Sequence, residues 1–547
     1  MLQAQWSYEE FSDRPAYMLH DGPPFANGEA HMGHVLNKLL KDTTARYWRT
    51  QGYSVQFRPG FDTHGLPTEL KVLQSLTEVE RANLSPLELR QRCRELAQAN
   101  VAKQSAVFQR LGVSADWENP YLTSSNYYEA AQLEALAQLL EQGYLFYGDR
   151  EVWYSPSSQT VLAESELEYA ADGTPLDWRT KQPVERRQMQ QWFLDLSRMR
   201  IQALTVVDTV NWGSENAKTR FVSMLGDRPD WCVSRQRSWG LPLPAFYDAQ
   251  GKPFMTPETV RHFAALLQEQ GSDAWWTLPV AELLPASLQP LAPTLTKGFD
   301  TLDVWLDSGL SWMTVLNGQT ADLYLEGSDQ HRGWFQSSLL TSVALTGKVP
   351  FKTVLTHGFV LDGNGRKMSK SEGNVVSPLE LLESTNADVL RLWALSGNYE
   401  NDLRVSEAHL KSTTKDYLKF RQTLRFMLQN LFDFEPNHLL PESDLLPEDK
   451  AALDQQRSLL ASVDQAYQNY RYNEVLRLLK TNLANLSNYF GTESTGLKPR
   501  LYQCYENSFN SLERRSGQST LFYLLQEFLP TLEPVLPHLV QELRNHQ

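Results

Sequence analysis

Two short stretches carry the side chains best suited to chemistry. In "HMGH", His31 and His34 bracket Gly33 just after "DGPPFANG" and open a run of helical pattern. Histidines and a glycine at a helix start offer N–H donors and a positive dipole, which suit a phosphate. A merely satisfied turn explains the same four residues equally well when they are taken alone. In "GRKMSKSEGN", Lys367 and Lys370 flank Met368 and Ser369 in a polar loop. Mobile ammonium groups beside hydroxyls suit a polyphosphate, because they neutralise charge that shifts during phosphoryl or nucleotidyl transfer. A plain basic surface loop is the alternative. The pair is more informative than either part: a lysine loop after a late strand could close over phosphates held at a helix N-terminus.

The surrounding pattern supplies elements that could position both. "AYMLH" reads as a short buried strand, "HVLNKLLKDTTARYWRTQG" as a helix with Val35, Leu36, Leu39 and Leu40 on its apolar stripe, and "YSVQF" as a second strand. Gly52 is placed to end the helix. Strand, loop, helix, strand is a βαβ unit and predicts an α/β fold with a parallel sheet, whose ligands bind beyond the carboxyl ends of strands. Residues 171 to 300 are less regular and rich in Trp and Pro. After them strand-like "ADLYLEG" and "KTVLTHGFVLDG" alternate with helix-like "WFQSSLLTSVALTG". One sheet, with halves at 1–170 and 301–375, interrupted by an inserted module at 171–300, accounts for this. From 376 to 547 helical periodicity dominates; Leu476, Leu479, Leu483 and Leu486 follow the spacing of a bundle helix.

The chain has 547 residues, 41% hydrophobic and 21% charged, with a net charge of −14. That length predicts several domains, and no apolar run is long enough to span a bilayer. The start, "MLQAQWSYEEF", lacks the pattern of a secretory signal. Cys93, Cys232 and Cys504 never form a CxxC pair, which argues against a disulfide framework or a cysteine-only zinc site and fits a reducing cytoplasm. The acidic balance argues against a body coated in nucleic-acid-binding charge, yet allows a local basic path. Lys411, Lys415, Lys419 and Arg425 recur at near-helical spacing and could make one. An ordinary solvated helix face is the other reading.

With these residues in view, the chain resembles the class I aminoacyl-tRNA synthetases, whose HIGH and KMSKS signatures stand here as "HMGH" and "KMSKS". The likeness narrows to the isoleucyl branch through "DGPPFANGEAHMGHVLNKLLKD", "PGFDTHGLPTE", "RPDWCVSRQRSWGLPLP", "LDVWLDSG" and "YLEGSDQHRGWFQSSLL", found in the family's order. The resemblance implies a Rossmann-like catalytic domain, an all-α anticodon-binding-like bundle, and isoleucine, ATP with Mg²⁺, and tRNA as reactants. It implies that His31 and His34 contact ATP phosphates and that Gly33 admits the adenosine. Lys367 and Lys370 would hold the departing pyrophosphate, with Met368 and Ser369 beside them. Glu326, Gly327 and Asp329 would anchor the ribose and adenylate. Asp62 and the Gly22 carbonyl would take the substrate ammonium, while Pro23, Trp305, Gln330 and Trp334 wall the side-chain pocket. For both tryptophans plain core packing is the alternative. Arg235 and Arg237, in "SRQRSWG", would guide the tRNA 3′ end.

The chain also departs from that family. Only about twenty residues separate Tyr169 from "MQQWFLDLS", too few for an independent hydrolytic editing domain. The C-terminal cysteine-bearing module is not found after "LEPVLPHLVQELRNHQ", so no zinc is expected. "YFGTESTGLKPRLYQ" diverges from the family's block at that place. Two expectations stand: a compact monomeric isoleucine–tRNA ligase without editing, or a paralogue that makes an aminoacyl-adenylate for another acceptor.

Overall fold

The computed structural model describes residues 13–369, 373–491, 496–503 and 511–545. The sheet that organises the site has four parallel strands: β1 (Ala16–His20), β2 (Ser54–Arg58), β3 (Ala321–Gly327) and β4 (Phe351–His357). Their order is β4-β3-β1-β2. The central strand β1 is the "AYMLH" run and is buried from Tyr17 onward, as a strand covered on both faces must be. It pairs Ala16 with Ser54 through to His20 with Arg58 on one side, and Leu19 with Leu323 on the other.

Helix α1 (Met32–Thr50) crosses from β1 to β2, with Val35, Leu36, Leu39 and Leu40 buried against the sheet. Gly52 closes it at φ +84°, its N–H donating to the Arg49 carbonyl at 3.0 Å. That left-handed conformation strains any side chain, which accounts for glycine there. Helix α2 (Trp334–Thr346) makes the crossover from β3 to β4 and is buried from Trp334 to Ala344. The chain thus leaves β1 in one direction and β3 in the other. Between their carboxyl ends, at His20–Gly22 and Glu326–Gly327, the strand order reverses and a crevice opens.

Two sequence expectations need correction. "KTVLTHGFVLDG" is not one strand: it breaks at Gly358, whose N–H donates to the Tyr399 carbonyl at 2.8 Å, and Val360–Leu361 pairs with Leu403–Arg404 instead. A Cβ at Gly358 would meet the Asn401 backbone at 2.4 Å, so the two chains can pass only with glycine there. Nor does residue 170 separate the sheet from the inserted module. Leu145–Ser155 and Thr160–Leu162 join Glu185–Leu194 and Trp231–Cys232 in a four-stranded antiparallel sheet. Leu145 to Tyr154 run opposite Leu194 to Glu185 in continuous register, so strands on both sides of residue 170 share this sheet.

The C-terminal helices include Glu407–Gln429, Pro447–Gln468, Tyr472–Tyr489 and Leu512–Leu532. Leu476, Leu479, Leu483 and Leu486 are buried together, as their spacing predicts. Among the described residues no helix is long and apolar enough to cross a membrane.

One buried ion pair ties α1 to these helices. Arg391 meets Asp42 at 2.7 Å and also donates to the carbonyls of Pro534 (2.8 Å) and Val535 (3.1 Å). Burial alone would raise the Asp42 carboxyl, but Arg391 and Arg46 hold it at about 2. This contribution to stability is present above the ordinary carboxylate pKa near 4 and is lost as pH falls towards 2. Arg391→Met leaves a buried carboxylate short of its partner and should destabilise the fold by about 3 kcal/mol. A lower urea midpoint, largely recovered by adding Asp42→Asn, is the expected result; an unchanged midpoint would show the pair to be dispensable.

Candidate active site

The crevice between β1 and β3 deepens into a cavity of about 800 Å³. Its lining brings together His31, Gly33 and His34; Gly22, Pro23 and Asp62; Trp305, Gln330 and Trp334; Glu326, Gly327 and Asp329; and Lys367, Met368 and Ser369. Lys370 lies outside the described residues.

His31 is the N-cap of α1, and its Nδ1 accepts the backbone N–H of His34 at 3.3 Å. His34 Nδ1 accepts the N–H of His31 at the same distance, and the rings stack at 3.7 Å. With both Nδ1 atoms accepting, each neutral ring must carry its proton on Nε2, so the pair presents two N–H donors. Enclosure by the cavity walls lowers His31 to about 4, although its ring edge is open to the cavity, and burial takes His34 well below its ordinary value. No acidic residue occupies the first turn of α1. The positive end of the helix is therefore uncompensated where a phosphate would sit.

At the other end stands Asp62, placed by backbone pairing: it donates to the Pro24 carbonyl at 2.9 Å, and Ala26 donates to its carbonyl at 2.8 Å. Its side chain accepts from Thr123 Oγ1 at 3.2 Å and is 3% exposed. Burial, and then the nearby Asp307, push this carboxyl well above the usual carboxylate range. A cation beside it would relieve both effects. Beneath it, His64 lies between Asp307 (2.8 Å) and Glu129 (3.3 Å), all three buried. Burial alone would lower His64, but these two carboxylates raise it to about 9, which makes it a fixed cation under Asp62. Around Asp62, Pro23, half-buried Trp305 and buried Trp334 supply apolar surface. Trp334 is also a packing residue: it stacks on Tyr324 at 4.0 Å and donates to the Ser308 carbonyl at 2.9 Å. Gly333 is needed because a Cβ there would meet the Trp305 ring at 2.5 Å.

Sequence reasoning missed the polar face of α1. Lys38 and Lys41 both pair with Asp21, and Lys41 also pairs with Glu326. Burial alone would raise the Asp21 carboxyl, yet the two ammonium groups hold it below the usual range. Asn37 donates to Glu326 Oε2 at 2.9 Å and lies 3.2 Å from His357 Nε2; the Gly22 N–H donates to Glu326 Oε1 at 3.0 Å. Glu326 thus keeps little spare acceptor capacity, whereas Asp329 is exposed and, among the described residues, its side chain accepts from Gln330 Nε2 at 2.8 Å. The detectable signal was the charge in "NKLLKD", inside an otherwise apolar helix pattern.

The lysine loop is fastened by Asn374, which accepts from the Ser369 N–H (2.9 Å) and donates to Asp362 (2.9 Å) and to the Lys367 carbonyl (3.2 Å). Exposed Lys367 rests 5.8 Å above the Phe359 ring. Among the described residues no group of three His, Cys, Asp or Glu is placed to hold a metal ion.

The two arginines expected to guide RNA are both paired within the protein. Arg235 is 6% exposed and spends its guanidinium on Asp303 (2.9 Å) and on the carbonyls of Cys232 (2.7 Å) and Ser234 (3.0 Å). It is a brace inside the inserted module, unable to reach a phosphate without breaking a buried ion pair. Arg237 is mostly buried and paired with Glu69 at 3.2 Å. Lys411, Lys415, Lys419 and Arg425 are all exposed on the Glu407–Gln429 helix, with Lys411 paired to Glu407.

Residues 4–406 match the profile described as tRNA synthetases class I (I, L, M and V), and residues 449–547 match an anticodon-binding domain of tRNA ligase. An isoleucine–tRNA ligase of Cyanothece sp. is 34% identical over 99% of this chain and 79% of its own length. The chloroplastic/mitochondrial isoleucine–tRNA ligase of Arabidopsis thaliana is 32% identical over 96% and 69%. The Cyanothece alignment runs to 761 positions against 547 residues here, so long stretches of that relative have no counterpart. A Mycobacterium tuberculosis methionyl-tRNA synthetase solved with methionyl-adenylate superposes with a TM-score of 0.71 at 19% identity, covering 97% of this chain and 93% of that one. A LeuRS of Agrobacterium radiobacter K84 in a ternary complex with tRNA and LeuAMS gives 0.73 at 17%, covering 98% and 86%. At these identities the two solved structures establish the fold.

Proposed function

Because the chain belongs to the class I tRNA synthetases of the isoleucine, leucine, methionine and valine group, we propose that it activates L-isoleucine with ATP and passes it, as a monomer, to tRNA(Ile) without hydrolytic editing. The observation that carries this reading is the single cavity with a buried carboxylate at one end and a neutral histidine pair on a helix N-terminus at the other. The isoleucine ligases among its relatives support the choice of amino acid.

In this reading Asp62 takes the isoleucine ammonium, and the side chain lies against Pro23, Trp305 and Trp334. ATP enters with Mg²⁺ as its counterion. Its phosphates meet the Nε2–H donors of His31 and His34, Asp329 holds the ribose with Glu326 bracing the loop beside it, and Lys367 and Lys370 face the β- and γ-phosphates. The substrate carboxylate attacks the α-phosphorus, a C–O–P link forms, the α–β phosphoanhydride bond breaks, and pyrophosphate leaves. A terminal tRNA hydroxyl then attacks the activated carbonyl, and AMP departs. No enzyme side chain is acylated, so the protein's part is positioning and charge stabilisation. The exposed Lys411 to Arg425 face is the route we assign to the body of the tRNA.

The absence of editing rests on the stretch between Tyr169 and Glu185. It holds only a small hairpin, Leu167–Tyr169 with Pro175–Asp177, and its following turn. Isoleucine and valine differ by one methylene, which an apolar pocket separates by only about 10–200-fold, a magnitude general to isoleucyl enzymes rather than one read from this chain. The test is pyrophosphate exchange and tRNA charging with each amino acid. Isoleucine-dependent exchange, measurable valine activation and persistent valyl-tRNA are expected. Rapid enzyme-dependent hydrolysis of valyl-tRNA would refute the editing claim. Exchange without charging of any tRNA would point to another acceptor.

A further inference from the structure

The same hairpin does more than connect two strands. The turn that follows it places half-buried Trp178 and exposed Arg179 in the lining of the cavity, where the cavity meets the surface. Asp177, fully buried, fixes them there. Its carboxylate accepts from Ser155 Oγ (2.7 Å), Ser158 Oγ (2.6 Å) and the N–H groups of Arg179 (2.8 Å) and Thr180 (3.2 Å). Trp178 meets Phe25 edge-on at 6.4 Å, and Phe25 in turn meets Trp305 edge-on at 6.3 Å, which links the turn to the amino-acid end. The Arg179 guanidinium lies 3.9 Å over the Trp178 ring. It is exposed at its surface edge and makes no ion pair among the described residues; enclosure by its surroundings lowers it from the ordinary arginine value, against the opposing pull of Glu166, Asp177 and Glu168. Lys71, on the helix Leu66–Gln74, also lines the cavity and is exposed, with its ammonium donating to the Asn27 carbonyl at 3.0 Å.

An exposed guanidinium packed over an indole ring can offer its plane to a nucleobase and its N–H groups to a phosphate. Single-stranded RNA is recognised by this combination of a π surface and a cation. The amino acid and ATP occupy the interior, so the last reactant must come in past this rim. Resting on the reading that tRNA is the acceptor, we infer that the Trp178–Arg179 stack is a platform for the single-stranded 3′ end of the tRNA. The segment thereby contributes a substrate contact at a point where no arginine of "SRQRSWG" is free to do so.

The test compares full-length wild type with Arg179→Ala and Arg179→Lys, using intact tRNA(Ile) and the same tRNA trimmed of its single-stranded 3′ end. A stacked base is worth about 1–3 kcal/mol, or roughly 5- to 150-fold. Arg179→Ala should therefore lower charging kcat/KM for tRNA by about 10-fold or more while isoleucine-dependent exchange stays within about twofold. Arg179→Lys, which keeps the charge and loses the plane, should recover only part. In binding measurements the variant should lose affinity for intact tRNA and match wild type on trimmed tRNA. An equal loss on both RNAs, an equal fall in exchange and charging, or full activity in Arg179→Ala would each overturn the inference. Failure of wild type to exchange with isoleucine would instead count against the function proposed above, since that assay contains no RNA.

Discussion

Asp62→Ala should lower kcat/KM for isoleucine in pyrophosphate exchange by about 10²–10³-fold, with ATP affinity measured separately almost unchanged. The estimate follows from stranding a buried ammonium without its counter-charge, a loss of about 3–4 kcal/mol. Asp62 is 3% exposed and lines the cavity beside Pro23 and Trp305. The pH profile gives an independent check. Because burial and Asp307 raise the Asp62 carboxyl well above the usual range, protons compete with the ammonium at higher pH than for an ordinary aspartate. Isoleucine kcat/KM should therefore fall on an acid limb above pH 4. His64→Gln withdraws the cation beneath Asp62 and should shift that limb upward. A retained kcat/KM in Asp62→Ala would remove Asp62 from the ammonium site.

Lys370→Ala should reduce the exchange rate constant by about 10²–10³-fold, with little effect on the isoleucine KM. Its charge is expected to count most when pyrophosphate leaves, so its loss falls on the transition state rather than on ground-state binding. The preceding residues Met368 and Ser369 line the cavity, and Asn374 fastens Ser369 in place. Lys367 rests over Phe359 at the lip, and Lys367→Ala should cost less. If Lys370→Ala exchanged at the wild-type rate, the lysine loop would have no part in the chemistry.

Local pattern made the central elements readable. "AYMLH" is strand β1 residue for residue, and the apolar stripe of α1 is buried as its spacing requires. The residues expected from sequence to take ATP and amino acid, Lys370 aside, line one cavity, because the segments after all four parallel strands converge at the strand reversal. What escaped were side chains whose partners lie far along the chain. Lys41 reads as a solvated helix lysine until Glu326 is folded against it, and Arg235 reads as an RNA contact until Asp303 takes its guanidinium. A buried ion pair has no local signature, since each half alone resembles surface charge. The break at Gly358 was hidden for the same reason: the obstacle is the Asn401 backbone, which sequence spacing does not reveal.

The hairpin that follows Leu162 pairs Tyr169 with Pro175, so the chain departs and returns across a single strand spacing of about 4.8 Å. Such a junction is a socket. Any folded unit with neighbouring termini, as most domains have, could be plugged in there without moving either attachment point. For a flexible splice, each doubling of length adds only about 0.6 kcal/mol of closure cost. Gain or excision of a whole domain at this point would leave the four parallel strands in register and the histidine pair on its helix. Trp178 and Arg179 lie just beyond the return point at Pro175, so a unit spliced in here would sit beside the cavity lining while leaving the lining itself intact.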